Sequence, residues 1–146
     1  MKPLLFIVPV VVVGWVIGWL NVPGLWYESL AKPDFNPPNW VFAPVWTVLY
    51  VVIGVAGWRA WERSTDKGLR ALWVAQLLLN YAWSPAFFGA ENPGLALFVI
   101  SLLLATILAF ILRATRHETV SGALFIPYLA WVSFASLLNF EIWQLN

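Results

Sequence analysis

The stretch from Asn92 to Leu112 reads NPGLALFVISLLLATILAFIL and carries no charged residue. A helix of about 20 apolar residues crosses the roughly 30 Å hydrocarbon core of a bilayer. Four further charge-free windows have similar lengths, and the five windows are Pro3–Tyr27, Phe35–Trp58, Ala71–Ala90, Asn92–Leu112 and Thr119–Phe140. A transmembrane barrel would instead show segments of about ten residues with alternating polarity.

These windows predict the fold class, an all-α membrane protein in which one domain, residues 1–146, forms a bundle of five transmembrane helices. The approximate helix bounds are 4–22, 41–61, 70–88, 93–113 and 120–141. Composition agrees, because 62% of the residues are hydrophobic and only 10% are charged. Ordinary soluble domains have about a quarter of their residues charged, and so few charges could not cover the surface of a water-soluble fold of this length.

Missing residue types exclude several chemistries. The chain has no cysteine, and its single histidine, His117, has no partner histidine, so neither a thiolate nor a metal site is expected. No charged residue lies deep inside any window, which argues against a proton pump or an ion channel. No catalytic triad, carboxylate pair or phosphate-binding loop is present. With a net charge of +1 and no basic domain, nucleic acid is not an expected partner.

The basic residues predict the orientation of the chain in the membrane. Seven of the eight Lys and Arg residues fall on one side of the five-helix topology, and they are Lys2, Arg59, Arg63, Lys67, Arg70, Arg113 and Arg116. The other side holds only Lys32. The positive-inside rule therefore predicts a multi-pass protein with a cytoplasmic N-terminus in the inner membrane of a bacterium. An outer membrane stays an alternative, to which this rule does not extend.

The connection between the first two windows, roughly Asn21 to Asn39, differs from the short charged connections elsewhere. Its prolines fix φ and favour extended neighbours, so it should be stiff. Long connections are often lids or binding loops, although these aromatics could instead lie at the level of the lipid headgroups. The residues predicted to form a lid are Trp26, Lys32, Pro33, Phe35, Pro37 and Pro38.

Aromatic and amide side chains recur at helical spacing in three windows. Phe42, Trp46 and Tyr50 share one face, and Gln76, Asn80 and Ser84 share another. Such stripes could simply join helices, because amides often form hydrogen bonds across transmembrane bundles. Together they also match a small-molecule pocket with aromatic walls and few polar groups. The candidate ligand-binding residues are Phe42, Trp46, Tyr50, Asn80, Trp83, Phe87, Tyr128, Trp131 and Ala135.

Two pairs of small residues allow close approach of helices. One is Gly14-x-x-x-Gly18 in the first window, and the other is Ala71-x-x-x-Ala75 in the third. Either pair could form the interface of a homodimer, and both could equally serve packing within one bundle.

Three stretches carry a resemblance to a known family. They are Lys32–Tyr50, KPDFNPPNWVFAPVWTVLY; Gln76–Phe88, QLLLNYAWSPAFF; and Pro127–Ala135, PYLAWVSFA, followed by Leu138-Asn139. In the order of these stretches and in the number of predicted helices, the chain resembles the TspO/MBR family. This family includes bacterial tryptophan-rich sensory proteins and the mitochondrial translocator protein, or peripheral-type benzodiazepine receptor.

The resemblance implies a five-helix bundle, often homodimeric, in contact with membrane lipids. It also implies a pocket beneath the first loop that binds porphyrins such as protoporphyrin IX, with haem as a related candidate, and needs no cofactor. Carried over by motif, the pocket residues are Phe42, Trp46, Asn80, Trp83, Trp131 and Ala135. The leading hypothesis is a porphyrin-binding receptor or sensor. Light-dependent porphyrin breakdown through Trp46 and Trp131 is the enzymatic alternative, and transport of lipophilic molecules is the third.

One departure from the family concerns sterols. Eukaryotic members carry a cholesterol-recognition pattern in the last helix, in which a basic residue follows a tyrosine within five positions. Here Tyr128 is followed by Leu129-Ala130-Trp131-Val132-Ser133, and no Lys or Arg occurs after Arg116. The sequence therefore argues against sterol transport and fits a bacterial member.

Overall fold

The computed structural model describes residues 2–146, and every regular element in that range is helical. The six α-helices are α1 (Leu4–Leu20), α2 (Leu25–Ser29), α3 (Phe42–Arg63), α4 (Lys67–Ser84), α5 (Pro93–His117) and α6 (Thr119–Leu145). A 3₁₀ turn at Asn39–Val41 leads into α3, and one turn of π-helix at Pro85–Gly89 continues α4. The all-α prediction is confirmed.

Three of these helices are long and apolar enough to cross a membrane. They are α3 with its preceding turn, Asn39–Arg63, together with α5 and α6. Helix α1 is apolar but shorter, at 17 residues. Helix α4 is not in this group, and it begins with Lys67 and Arg70 and carries two amide side chains, Gln76 and Asn80.

Helix ends differ from the sequence prediction where charged residues were taken as boundaries. Helix α4 begins at Lys67 rather than near residue 70, α5 continues to His117, and α6 continues to Leu145. Charged side chains at a helix end reach water while the backbone hydrogen bonds continue, so charge marks the membrane boundary and not the helix end. The short helix α2, within the first connection, was not predicted.

Side-chain caps fix the starts of the last three long helices. Asp66 accepts a hydrogen bond from the Leu69 N–H at 2.8 Å, and Asn92 and Glu118 cap α5 and α6 in the same way. Each cap satisfies a backbone donor that the helix itself cannot. Tight caps allow very short connections, which keep consecutive helices antiparallel and adjacent.

Glycines bring α1 close to α3. A Cβ atom on Gly54 would lie 2.7 Å from the Cα of Ile7, and one on Gly14 would overlap the ring of Tyr50. Gly14 is therefore used for packing inside this bundle. Around the bundle α3 also packs on α6, α6 on α5 and α5 on α4, while α4 touches α1.

Two ion pairs join helices at the end of the bundle that holds most of the basic residues. Arg59 of α3 donates to both carboxylate oxygens of Glu118, at 3.3 and 2.9 Å. Arg113 of α5 binds the capping carboxylate of Asp66 and holds the pKa of that group well below its usual range. These ion pairs join the helices at the end of the bundle opposite the first connection.

Glu118 makes the stability of the bundle depend on pH. Burial alone would raise the pKa of its carboxyl, but hydrogen bonds from Arg59 and from the side chain and backbone of Ser121 outweigh burial and lower it below its ordinary value of 4.5. A lowered pKa contributes stability above the unfolded value, and that contribution is lost as the pH falls through the folded value.

We therefore expect Glu118→Gln to lower the free energy of unfolding in detergent at pH 7 by about 3 kcal/mol, because it leaves Arg59 without its charge partner. The wild type should lose this advantage progressively as the pH falls below 4.5 and through the lowered pKa of Glu118. Arg59→Gln and the double variant complete a mutant cycle, and strictly additive losses would contradict the coupling.

Candidate functional site

A cavity of about 570 Å³ lies in the half of the bundle beneath the first connection. This volume is in the range of small-molecule sites. All six α-helices contribute to its wall, α2 through Tyr27 alone. Its aromatic residues are Trp15, Trp19, Tyr27, Phe42, Trp46, Tyr50, Trp83, Phe87, Phe88 and Trp131. No lining residue is charged.

Eight of the nine candidate ligand-binding residues line this cavity. They are Phe42, Trp46, Tyr50, Asn80, Trp83, Phe87, Trp131 and Ala135. The ninth, Tyr128, is completely buried and does not reach the cavity surface. Its hydroxyl lies behind Asn80, which gives Tyr128 a supporting position in place of the predicted contact position.

The rings of α3 and α6 meet edge to face and leave space beside their faces. Trp46 and Trp131 have ring centroids 6.5 Å apart and planes inclined by 86°. Phe42 approaches Trp131 at 5.9 Å and 67°, and Tyr50 follows Trp46 at 5.7 Å. Edge-to-face pairs are favourable in themselves, so this wall is fixed without any bound molecule.

A chain of hydrogen bonds runs from the cavity wall into the core. Tyr50 donates to the Asn80 Oδ1 at 3.4 Å, and the Asn80 Nδ2 donates to the Tyr128 hydroxyl at 2.7 Å. Tyr128 in turn donates to the Gln76 Oε1 at 2.9 Å. The amide of Asn80 is thus largely committed to its neighbours, and one Nδ2 hydrogen is left for any ligand.

A second pair of polar groups closes the wall between α4 and α6. Trp83 donates from Nε1 to the Asn139 Oδ1 at 2.9 Å, and Asn139 donates to the Pro93 carbonyl at 2.9 Å. Buried amides cost free energy unless they are paired, so these bonds make the wall rigid. The cavity therefore presents mainly ring faces to an occupant.

The π-helical turn shapes the upper part of the cavity. Pro85 has no backbone N–H, and the chain continues with a wide hydrogen bond from the Ala90 N–H to the Pro85 carbonyl at 2.7 Å. Phe87 and Phe88 lie in this turn with centroids 4.8 Å apart. Both contact Tyr27 of the first connection, at 6.0 and 5.4 Å.

Tyr27 is the residue of α2 that faces the cavity, and it is 4% exposed. Its hydroxyl donates to the Asn36 Oδ1 at 3.3 Å, and the Lys32 ammonium lies 4.4 Å from its ring centroid. Through this buried ring the first connection packs against this end of the cavity. The sequence analysis did not single out Tyr27.

The six residues proposed for the lid form an outer layer and do not line the cavity. Trp26 packs on Phe87 at 5.7 Å, and Phe35 packs on Phe134 of α6 at 6.1 Å. Lys32 covers Tyr27, while the prolines shape the backbone. The carbonyls of Pro33 and Pro38 each accept a 3.0 Å turn hydrogen bond, and Pro37 is half-buried.

The sequence analysis missed the contributions of α1 and α5. Gly14, Trp15, Gly18 and Trp19 of α1 line the cavity, although Gly14 and Gly18 were expected only to pack helices and the two tryptophans were not among the candidate residues. A signal existed, because Gly14, Gly18 and Asn21 share one helical face. Nothing in the uniformly apolar α5 marks Ile100 and Leu103, which also line the cavity.

Residues 2–146 bring together no group of three His, Asp or Glu side chains that could hold a metal ion. The wall of the cavity consists of aromatic and other apolar side chains with a few amides and hydroxyls, and none of its residues is charged.

The model of the TspO/MBR family matches residues 5–144. The chain belongs to the TspO/MBR family. Among its relatives, the tryptophan-rich protein TspO of Archaeoglobus fulgidus is 44% identical over 124 residues, which cover 83% of this chain and 80% of that protein. The tryptophan-rich sensory protein of Cereibacter sphaeroides is 38% identical over 129 residues, 88% of this chain and 82% of the relative.

The family extends to animals. The human translocator protein is 36% identical over 126 residues, 83% of this chain and 75% of that protein. Membership of the TspO/MBR family, together with three long apolar helices, identifies an integral membrane protein. The names of its relatives describe a family of sensory and translocator proteins.

We expect Tyr128→Phe to lower the free energy of unfolding by about 1–2 kcal/mol, because it leaves the amides of Asn80 and Gln76 without their shared partner. Thermal unfolding in detergent measures the loss. Ser133→Ala on the same helix is the control, since Ser133 is exposed and bonds only its own helix through the Leu129 carbonyl. Equal stability of Tyr128→Phe and Ser133→Ala would contradict a structural role for the buried chain.

Proposed function

We propose that this protein is a membrane receptor or sensor that binds porphyrins, such as protoporphyrin IX, and similar flat hydrophobic molecules in the aromatic cavity. The observation that carries the proposal is a space of about 570 Å³ walled by ring faces, with no charged lining residue. Flat apolar ligands suit such walls, because they stack favourably on aromatic faces and need few polar partners.

Trp46 and Trp131 are the proposed stacking residues, because their rings meet at 6.5 Å across the join of α3 and α6. The remaining Nδ2 hydrogen of Asn80 is available for one polar contact deep in the cavity. Acidic substituents of a porphyrin belong at the opposite end, near Asn21 and Asn39, because carboxylates need polar surroundings or water.

The proposed arrangement in the membrane has five spans, α1, α3, α4, α5 and α6, and the first connection, which contains α2, forms a lid. The end that carries Arg59 and Arg113 is then cytoplasmic, as is the N-terminus, in a bacterial inner membrane. Homodimerisation fits the Ala71 face better than Gly14, because Ala71 is exposed on α4 while Gly14 is buried against Tyr50.

A dark titration of the purified protein with protoporphyrin IX, followed by tryptophan quenching, tests the proposal. We expect saturable binding near micromolar, about −8 kcal/mol, and at least about tenfold weaker binding by Trp46→Ala and Trp131→Ala. Trp143→Ala is the matched control, since Trp143 is exposed on α6 outside this cavity. Equal affinity of all three variants and the wild type would place the ligand elsewhere.

The pairing of Trp46 with Trp131 also favours, as a second function, light-dependent oxidation of the bound porphyrin by dissolved dioxygen, in which the excited porphyrin is the sensitiser, dioxygen accepts the electrons and the indoles are transient electron donors. Indoles are readily oxidised, and both rings lie in the wall of one cavity. Trp46→Phe and Trp131→Phe keep an aromatic wall but remove the indole. If the enzyme hypothesis holds, illumination should bleach porphyrin bound to the wild type faster than free porphyrin, and the Phe variants should bind it without this acceleration. Bleaching of the bound porphyrin at the rate of free porphyrin would contradict the enzyme hypothesis but not porphyrin binding.

A further inference from the structure

We propose that the ligand reaches the cavity sideways from the bilayer, through a side opening between α1 and α3 formed by Trp15, Gly18, Trp19 and Ala43. This proposal rests on the proposed function, because it concerns the route of the same flat hydrophobic ligand. On this path the ligand passes beside the first connection, which stays in place.

The deep half of the α1–α3 contact is closed. Ile7 lies against Gly54 so closely that a Cβ on Gly54 would be 2.7 Å from the Ile7 Cα, and Tyr50 fills the space in front of Gly14. Contact at this distance between two helix backbones leaves no gap for a ligand.

The half nearer the first connection is open. A Cβ on Gly18 would meet no atom within 4 Å, one turn beyond the crowded Gly14. Trp15 is 56% exposed and Trp19 77% exposed, and Ala43 is exposed on α3. The same three residues line the cavity. Residues that face both the cavity and the outer surface of the bundle mark an opening between the two.

A hydrogen bond spans this part of the helix contact. Trp15 donates from Nε1 to the Thr47 Oγ1 at 3.0 Å, and the Thr47 hydroxyl donates to the Ala43 carbonyl at 2.7 Å. This bond holds the Trp15 indole against Thr47, at the edge of the opening nearer Gly14. Breaking this single bond frees the indole of Trp15, which has Gly14 and Gly18 beside it on α1.

The first connection, by contrast, is fastened at several points. The Asn146 side chain pairs with both the N–H and the carbonyl of Ala31, at 3.0 and 2.9 Å, and also donates to the Ile142 carbonyl. Tyr27 is buried against Phe87 and Phe88. Lifting the cover would break these contacts together, whereas the side opening requires movement of exposed side chains.

The chemistry of the side opening fits a ligand dissolved in lipid. Its residues are apolar or aromatic, and none is charged. A flat hydrophobic molecule partitions into the bilayer before it meets the protein, so its local concentration is highest along the helix surfaces.

Reversible bridging tests this route, because the chain contains no native cysteine. Trp15→Cys/Thr47→Cys, reconstituted in liposomes and joined by a reducible bifunctional thiol reagent, closes the side opening. Ala31→Cys/Asn146→Cys, bridged in the same way, locks the first connection. Stopped-flow tryptophan quenching with protoporphyrin IX in the dark gives association and dissociation rates before and after reduction, so that each variant is its own control.

We expect the Trp15/Thr47 bridge to slow both rates by about tenfold relative to the same variant after reduction, and in equal proportion, because closing a path slows entry and exit alike. The Ala31/Asn146 bridge should leave both rates within about twofold. Unchanged rates in the first variant, or equal slowing by the second bridge, would overturn the proposal. Absence of saturable binding in the wild type and the reduced variants would instead reject the proposed function itself.

A single substitution gives an independent measurement without cross-linking. Thr47→Val keeps the shape of Thr47, which does not line the cavity, but removes the acceptor for Trp15. We expect both rates to rise by about fivefold at constant affinity. Thr106→Val on α5 is the matched control, because Thr106 makes the same backbone bond one turn back, to Leu102. Identical rates in the two variants would contradict a gating role for the Trp15 bond.

Discussion

Amide side chains inside a bilayer must find partners within the protein, because lipid offers none. Much of this structure depends on that constraint. Gln76 and Asn80 of α4 bind the hydroxyl of Tyr128, and Asn139 of α6 binds Trp83. These bonds set the rotation of α4 and α6 about their axes. Once they are made, the surfaces left facing the cavity are ring faces and small apolar groups, which suit a flat apolar occupant.

The bundle has two halves with different packing. At the end rich in basic residues, glycines draw α1 onto α3, and Glu118 joins α6 to α3. At the other end, large rings line the cavity, and a π-helical turn follows Ser84. Rings that meet edge to face leave space beside their faces, which is where the cavity lies.

Periodicity and motif selected residues that line one cavity where polar or aromatic residues repeat at helical spacing, as in Trp46 of α3 and Asn80 of α4. Helical spacing shows which residues share a face of a helix, but not how deeply each of them is buried. Tyr128 was therefore expected in the cavity, although it lies behind Asn80. Helix α5 is almost entirely apolar from Pro93 to Leu112, so no pattern marks Leu103. The role of Tyr27 depends on how the first connection folds back, which is a long-range property absent from local sequence.

The pairing of Asn146 with Ala31 joins positions 115 residues apart. During synthesis the first connection leaves the ribosome long before α6 exists, so this fastening cannot form until nearly the whole domain has been inserted. Until then α1 and α3, already adjacent through Gly54 and Gly14, can pair early as a hairpin-like unit. Assembly of the cavity is therefore a late event, and substitutions at Asn146 should affect maturation more than insertion of the early helices.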